Sequence, residues 1–191
     1  MPDFPIVDAH VHLYDVKKLS YSWLVNVPKI NRTYLLEDFD KARQQVAVEK
    51  IVFAEVAVDP GLHIEEAAFI QAMAEKDSRL SGIIAHLPLE KGVGVESDIA
   101  ALKQFRNLRG IRRLIETERN PAFCLEPEFL AALKLLPRHN LSFDICVKHW
   151  GARVRDRARP PLPRRPLRPR PYRQARHPPR AEGAVVGADQ G

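Results

Sequence analysis

Cysteine is nearly absent: the chain has two, Cys124 and Cys146. Such a pair cannot supply the disulfide framework of a small secreted domain and is not spaced as a metal-binding cluster, so a reducing, cytoplasmic setting is expected. No apolar run is long enough to cross a bilayer. The amino terminus, MPDFPIVDAHVHLYD, places an acid at Asp3 where a signal peptide would carry basic and then apolar residues, so neither export nor membrane anchoring is expected. Glycine-rich phosphate loops and the G-x-S-x-G elbow are missing too, which removes the signatures of two large enzyme classes. Acidic residues are scarce in one region only. Residues 1–150 hold 19 Lys and Arg against 21 Asp and Glu, whereas residues 151–191 hold 11 Arg against 3 acids. The net charge of +6 is therefore carried by the tail, and the first 150 residues have no nucleic-acid-binding character.

What is present up to Trp150 is an alternation of two periodicities. Runs rich in Val and Ile at PIVDAHVHLY (5–14), KIVFAEVAV (50–58), LSGIIAHLPL (80–89), LRGIRRLIE (108–116) and LSFDICVKHW (141–150) suit strands buried on both faces of a parallel sheet. Between them, residues 35–48, 64–79, 95–106 and 126–140 place apolar side chains at three- and four-residue spacing, as at Phe129, Leu133 and Leu136, and predict helices. The pattern is β(αβ)4, an α/β chain with a parallel sheet. Its repeat of roughly 30 residues is that of a (β/α)8 barrel, of which five strands are a truncated, N-terminal part. An open doubly wound sheet has the same periodicity.

Chemistry is expected at strand ends. Asp8, His10 and His12 alternate along the first strand, so they share a face, and two imidazoles at i and i+2 can converge on one ion or substrate. The bland alternative is a pair of hydrogen-bonded histidines. Glu55 interrupts an apolar strand and must meet a cation, a donor or a proton if buried. Arg112 and Arg113 end the fourth strand, and alternation aims one of them inward, where a guanidinium can grip a substrate carboxylate or hydroxyls. Lys148 and His149 end the fifth strand under the same parity rule. His86 reads as a polar end to the third strand, and Cys146, between Ile145 and Val147, as a small apolar residue rather than a nucleophile.

VDAHVHLYD followed by Tyr21-Ser22-Trp23-Leu24, then GIRRLIE and FDICVKHW, resembles the amidohydrolase-related group of TIM-barrel hydrolases, in particular its sugar-lactonase and dicarboxylate-lactonase branch. The resemblance covers nearly all of residues 4–150. It implies hydrolysis of a small-molecule lactone, or a related ester or carboxylate substrate, at the carboxyl end of the barrel. His10 and His12 match the first-strand metal pair. Glu55 with Arg112 or Arg113, the basic residue after the fourth strand, would bind substrate, and Lys148 and His149 would take catalytic roles. A divalent metal, zinc, is implied, although members of this branch differ in needing one. The family's general base is an aspartate after an eighth strand, for which this sequence has no counterpart.

From Gly151 the text changes. Residues 151–191 hold eight prolines and a single aromatic residue, Tyr172, which predicts a disordered Arg/Pro-rich tail. A reading shifted by one nucleotide converts this stretch into an amphipathic helix, a turn and a strand ending in the family's Asp-His-hydrophobic-Gly-Lys-Pro motif. Tyr172 and Gln174, whose shifted codons allow very few residues, both fall on permitted ones. The tail is therefore read as out-of-frame translation, and the chain as written is expected to be inactive. The alternative is a natural basic tail binding RNA or DNA phosphates non-specifically; its poverty in aromatics leaves it without the stacking platform of single-strand binders.

Overall fold

A computed structural model describes residues 4–147. Five strands form one sheet: β1 Ile6–Val11, β2 Val48–Ala54, β3 Leu80–His86, β4 Leu108–Leu114 and β5 Ser142–Cys146. They lie in chain order, and every neighbouring pair is parallel. Parallel neighbours need a crossover, and four helices provide them: α1 Leu36–Arg43, α2 His63–Ala74, α3 Glu96–Leu102 and α4 Pro127–Leu133. This is the expected β(αβ)4 order, a half-barrel of five parallel strands with helices.

The elements are shorter than their periodic stretches for local reasons. The segment expected to be helical to residue 48 stops at Arg43, because Gln44 takes a left-handed φ of 52°. The 126–140 stretch breaks into α4 and a 3-10 turn at Leu136–His139, since Pro137 has no N–H to continue an α-helix. Pro127 sits in the first turn of α4, where the missing donor costs nothing.

The core lies between the sheet and the helices. Ile51, Phe53, Ile83, Ala85 and Ile111 from the three inner strands are at most 1 % exposed, against Ile70, Ile99, Leu102 and Phe129 from the helices. Burying each of the larger side chains contributes about 1.5–3 kcal/mol. β1 and β5, the outermost described strands, are more open: Val7 is 58 % exposed and Ile145 39 %.

Gly110 in β4 is dictated by close approach. A Cβ there would stand 2.1 Å from Ser142 Oγ and 3.0 Å from the Ser142 carbonyl oxygen on β5. The backbone oxygen cannot rotate away, so Gly110→Ala is expected to lower stability by about 1–3 kcal/mol, measured as a shift in the urea midpoint.

Candidate functional site

The carboxyl ends of β1, β2 and β4 bring together four of the residues singled out from the sequence: His10, His12, Glu55 and Arg112. Glu55, immediately after β2, is 0 % exposed, and Arg112 on β4 is 5 % exposed. Arg112 Nε donates to Glu55 Oε1 at 2.8 Å, and its Nη2 donates to the Glu55 carbonyl oxygen. The second carboxylate oxygen accepts from the Ala57 N–H at 2.6 Å. Glu55 therefore meets a cation, as burial of a carboxylate demands, and the guanidinium is locked by both side chain and backbone.

Arg112 also reaches across to β1. Its Nη1 stands 3.2 Å from His10 Nε2, which in turn lies 3.2 Å from His12 Nε2. The two imidazoles are perpendicular, with centroids 4.8 Å apart. His12 Nδ1 faces the Ala54 carbonyl oxygen at 3.0 Å. Part of the His12 ring is open to solvent, yet desolvation lowers its pKa; the Ala54 carbonyl opposes this, and the Arg112 charge adds to the lowering. Asp8, on the same strand, turns its carboxylate back to the His10 N–H at 3.2 Å.

Parity separates the two arginines. Arg112 goes to Glu55 and His10, whereas Arg113 goes to Glu90 Oε2 at 3.0 Å and Glu118 Oε1 at 2.7 Å, with its guanidinium over the Phe123 ring. Arg113 therefore ties loops together and lines a separate cavity of about 300 Å3 with His63, His86, Glu90 and Lys91. His86 is the last residue of β3, as expected, and its buried Nδ1 has no hydrogen-bond partner. His63 Nε2 is 3.2 Å from Asp98 Oδ2 but lacks hydrogen-bond geometry. Lys148 and His149 lie outside the described residues. Cys146 is half-buried, and burial, then Glu116, pushes its thiol up, away from the nucleophilic thiolate.

Burial pushes the His86 pKa down to about 4. Between that value and the ordinary imidazole pKa of about 6.5 the unfolded chain binds more protons than the folded one, so stability present at neutral pH is lost as pH falls through this window. His86→Gln should flatten that slope in urea titrations run at pH 4 and pH 7.

Glu66 was missed by the sequence reading. It sits in the first turn of α2, is 1 % exposed, and accepts the Val56 N–H at 3.3 Å. Burial, then the Glu55 charge, pushes it up to about 8. Burial and Glu66 in turn push the Tyr21 phenol up. The helical spacing carries the signal, because Glu66 falls on the stripe of His63, Ala67, Ile70 and Ala74 that α2 buries.

The spacing of the His10 and His12 nitrogens suits a metal, but the rest of the donor set does not complete one. Among the described residues no three His, Cys, Asp or Glu side chains gather around a point, and zinc sites draw on three or four protein ligands. The described residues thus do not fit a resident metal. Among them, too, no helix is long and apolar enough to cross a membrane.

No protein-family model matches the sequence. An uncharacterized protein of Sinorhizobium fredii is 29 % identical over 171 positions, covering 78 % of this chain and 56 % of its own. Among solved structures, an amidohydrolase from Burkholderia multivorans crystallised with bound HEPES is 17 % identical with a TM-score of 0.66, over 80 % of this chain and 52 % of its own. An amidohydrolase structure from the same organism, with bound zinc, is 18 % identical with a TM-score of 0.63, over 78 % and 51 %. Amidohydrolase 2 from Bifidobacterium longum subsp. infantis is 19 % identical with a TM-score of 0.52, over 75 % and 52 %. The described part of this chain therefore has the fold of the amidohydrolases, and the chain spans about half the length of those it matches.

Proposed function

We propose that this chain carries the substrate-gripping part of an amidohydrolase-related hydrolase whose substrate is a sugar-acid lactone or a similar ester. The observation that carries the reading is the convergence of Arg112 Nη1 and the His10 and His12 nitrogens at one end of the sheet. A guanidinium held on a buried carboxylate is a fixed donor, suited to a substrate carboxylate or to the oxygen of a carbonyl becoming an oxyanion. Glu55 fixes that donor, and the His12 imidazole supplies a nitrogen lone pair for water or a substrate hydroxyl.

In this reading the carbonyl is polarised by cationic side chains, Arg112 together with Lys148 or His149, and water attacks it. The resemblance assigns the base for that water to an aspartate after an eighth strand, so the part played by the first five strands is to bind the lactone or its opened acid. Restoring the reading frame after Trp150 brings in the family's sixth-strand Asp-His motif. The expected result is no lactone hydrolysis by the chain as given and measurable turnover by the frame-restored protein, abolished by His10→Ala. Hydrolysis of an amide, or decarboxylation, with no lactone accepted would overturn the substrate assignment. A frame-restored protein inactive on every ester and amide tested would overturn the hydrolase reading. Adding chelator leaves turnover unchanged if cationic side chains alone polarise the carbonyl.

A further inference from the structure

We infer that the His10–His12 pair is a latent metal site that Arg112, anchored by Glu55, keeps closed. Protonation states at the pair follow from its partners. The Ala54 carbonyl can only accept, so His12 Nδ1 donates to it, and the neutral ring keeps its lone pair on Nε2. A guanidinium can only donate, so His10 Nε2 accepts from Arg112 Nη1 and carries a lone pair too. Two nitrogen lone pairs thus stand 3.2 Å apart. In a tetrahedral zinc site, with each nitrogen ~2.0–2.1 Å from the ion, two ligand nitrogens are separated by roughly 3.3–3.4 Å. The strand has already set the spacing that half of such a site requires.

What closes the site is the third member of the cluster. An imidazole nitrogen has one in-plane lone pair, and that of His10 is engaged by Arg112, so an ion can bind it only if the guanidinium withdraws. Withdrawal is opposed at the other end of the same side chain, where Arg112 Nε and Nη2 hold the Glu55 carboxylate and carbonyl. Glu55 is 0 % exposed, and moving Arg112 would leave a buried carboxylate without its cation. Asp8, the nearest acid on the strand, is engaged by the His10 N–H. The positive end of a fixed ion pair therefore occupies the His10 nitrogen that a dication would need, and only the His12 Nε2 is left to solvent or to a substrate group.

The test is zinc titration of the 191-residue chain by calorimetry, and it concerns ion binding alone, so its outcome is separable from that of the lactone reading. The wild type and His12→Ala should be indistinguishable. Glu55→Gln combined with Arg112→Met removes the guanidinium without stranding a charge, and should bind zinc at least about ten-fold more tightly. His12→Ala added to that double variant should abolish the gain. A wild type that binds zinc more tightly than His12→Ala would overturn the inference, as would a folded double variant with no gain. Should the double variant fail to fold, the comparison of wild type with His12→Ala decides alone.

Discussion

Arg112→Met is expected to destabilise the fold by about 3–5 kcal/mol, the cost of leaving a buried carboxylate without its partner. That is a large part of the stability of an ordinary domain. The effect comes less from the lost attraction than from Glu55, which is 0 % exposed and loses two of the donors facing it, keeping the Ala57 N–H. Two further measurements separate this cause from a simple packing defect. The double variant Glu55→Gln, Arg112→Met should recover most of the loss, because no charge is then stranded. Arg112→Lys should recover little, since an ammonium cannot hold the Glu55 carboxylate and carbonyl while reaching His10. Additive losses in the double variant would show that the ion pair is not the unit described.

Glu66→Gln is expected to stabilise the protein at pH 8 and above, by up to several kcal/mol, while leaving it near wild type at pH 5. The sign follows from its raised folded-state pKa of about 8. Between the ordinary glutamate pKa of about 4.3 and that value, the unfolded chain has released a proton that the folded chain keeps. Stability is thus fully present below the lower value and is lost as pH rises through the upper one. Glutamine keeps the shape and the acceptor for the Val56 N–H but has no charge to bury. Paired urea titrations at pH 5 and pH 9 check this, and equal slopes for both proteins would show that Glu66 is not held protonated. His86 contributes the opposite slope between about 4 and its ordinary value of about 6.5, where the two largely offset each other, so the wild type should lose stability mainly as pH rises from about 6.5 to about 8.

The alternation that made the fold legible is strongest where burial is most complete. Val- and Ile-rich runs marked β2, β3 and β4 because both faces of those strands are covered, and the helices between them fixed parallel pairing. Element ends were less legible, since they depend on single residues such as Pro137 and the left-handed Gln44. Parity showed that one of Arg112 and Arg113 faces inward. Which one became clear only from the register that sets His86 opposite Arg112 and sends Arg113 to Glu90. The demand that Glu55 find a cation was readable from its apolar surroundings; its partner lay 57 positions away and was not. Glu66 went unnoticed because it sits among alanines and isoleucine in a helix that otherwise reads as ordinary core. The proposed roles of Lys148 and His149 concern positions beyond the described residues.

The whole cluster depends on Arg112 donating to His10 on the first strand, and nitrogen-detected NMR of the histidine rings reads this directly. His10 Nε2 should appear as an unprotonated acceptor and His12 as the Nδ1–H tautomer, both shifting on addition of a sugar-acid lactone or its opened acid in the wild type and not in the folded Glu55→Gln, Arg112→Met variant. A His10 ring protonated at Nε2, or ligand shifts that persist without the guanidinium, would contradict it.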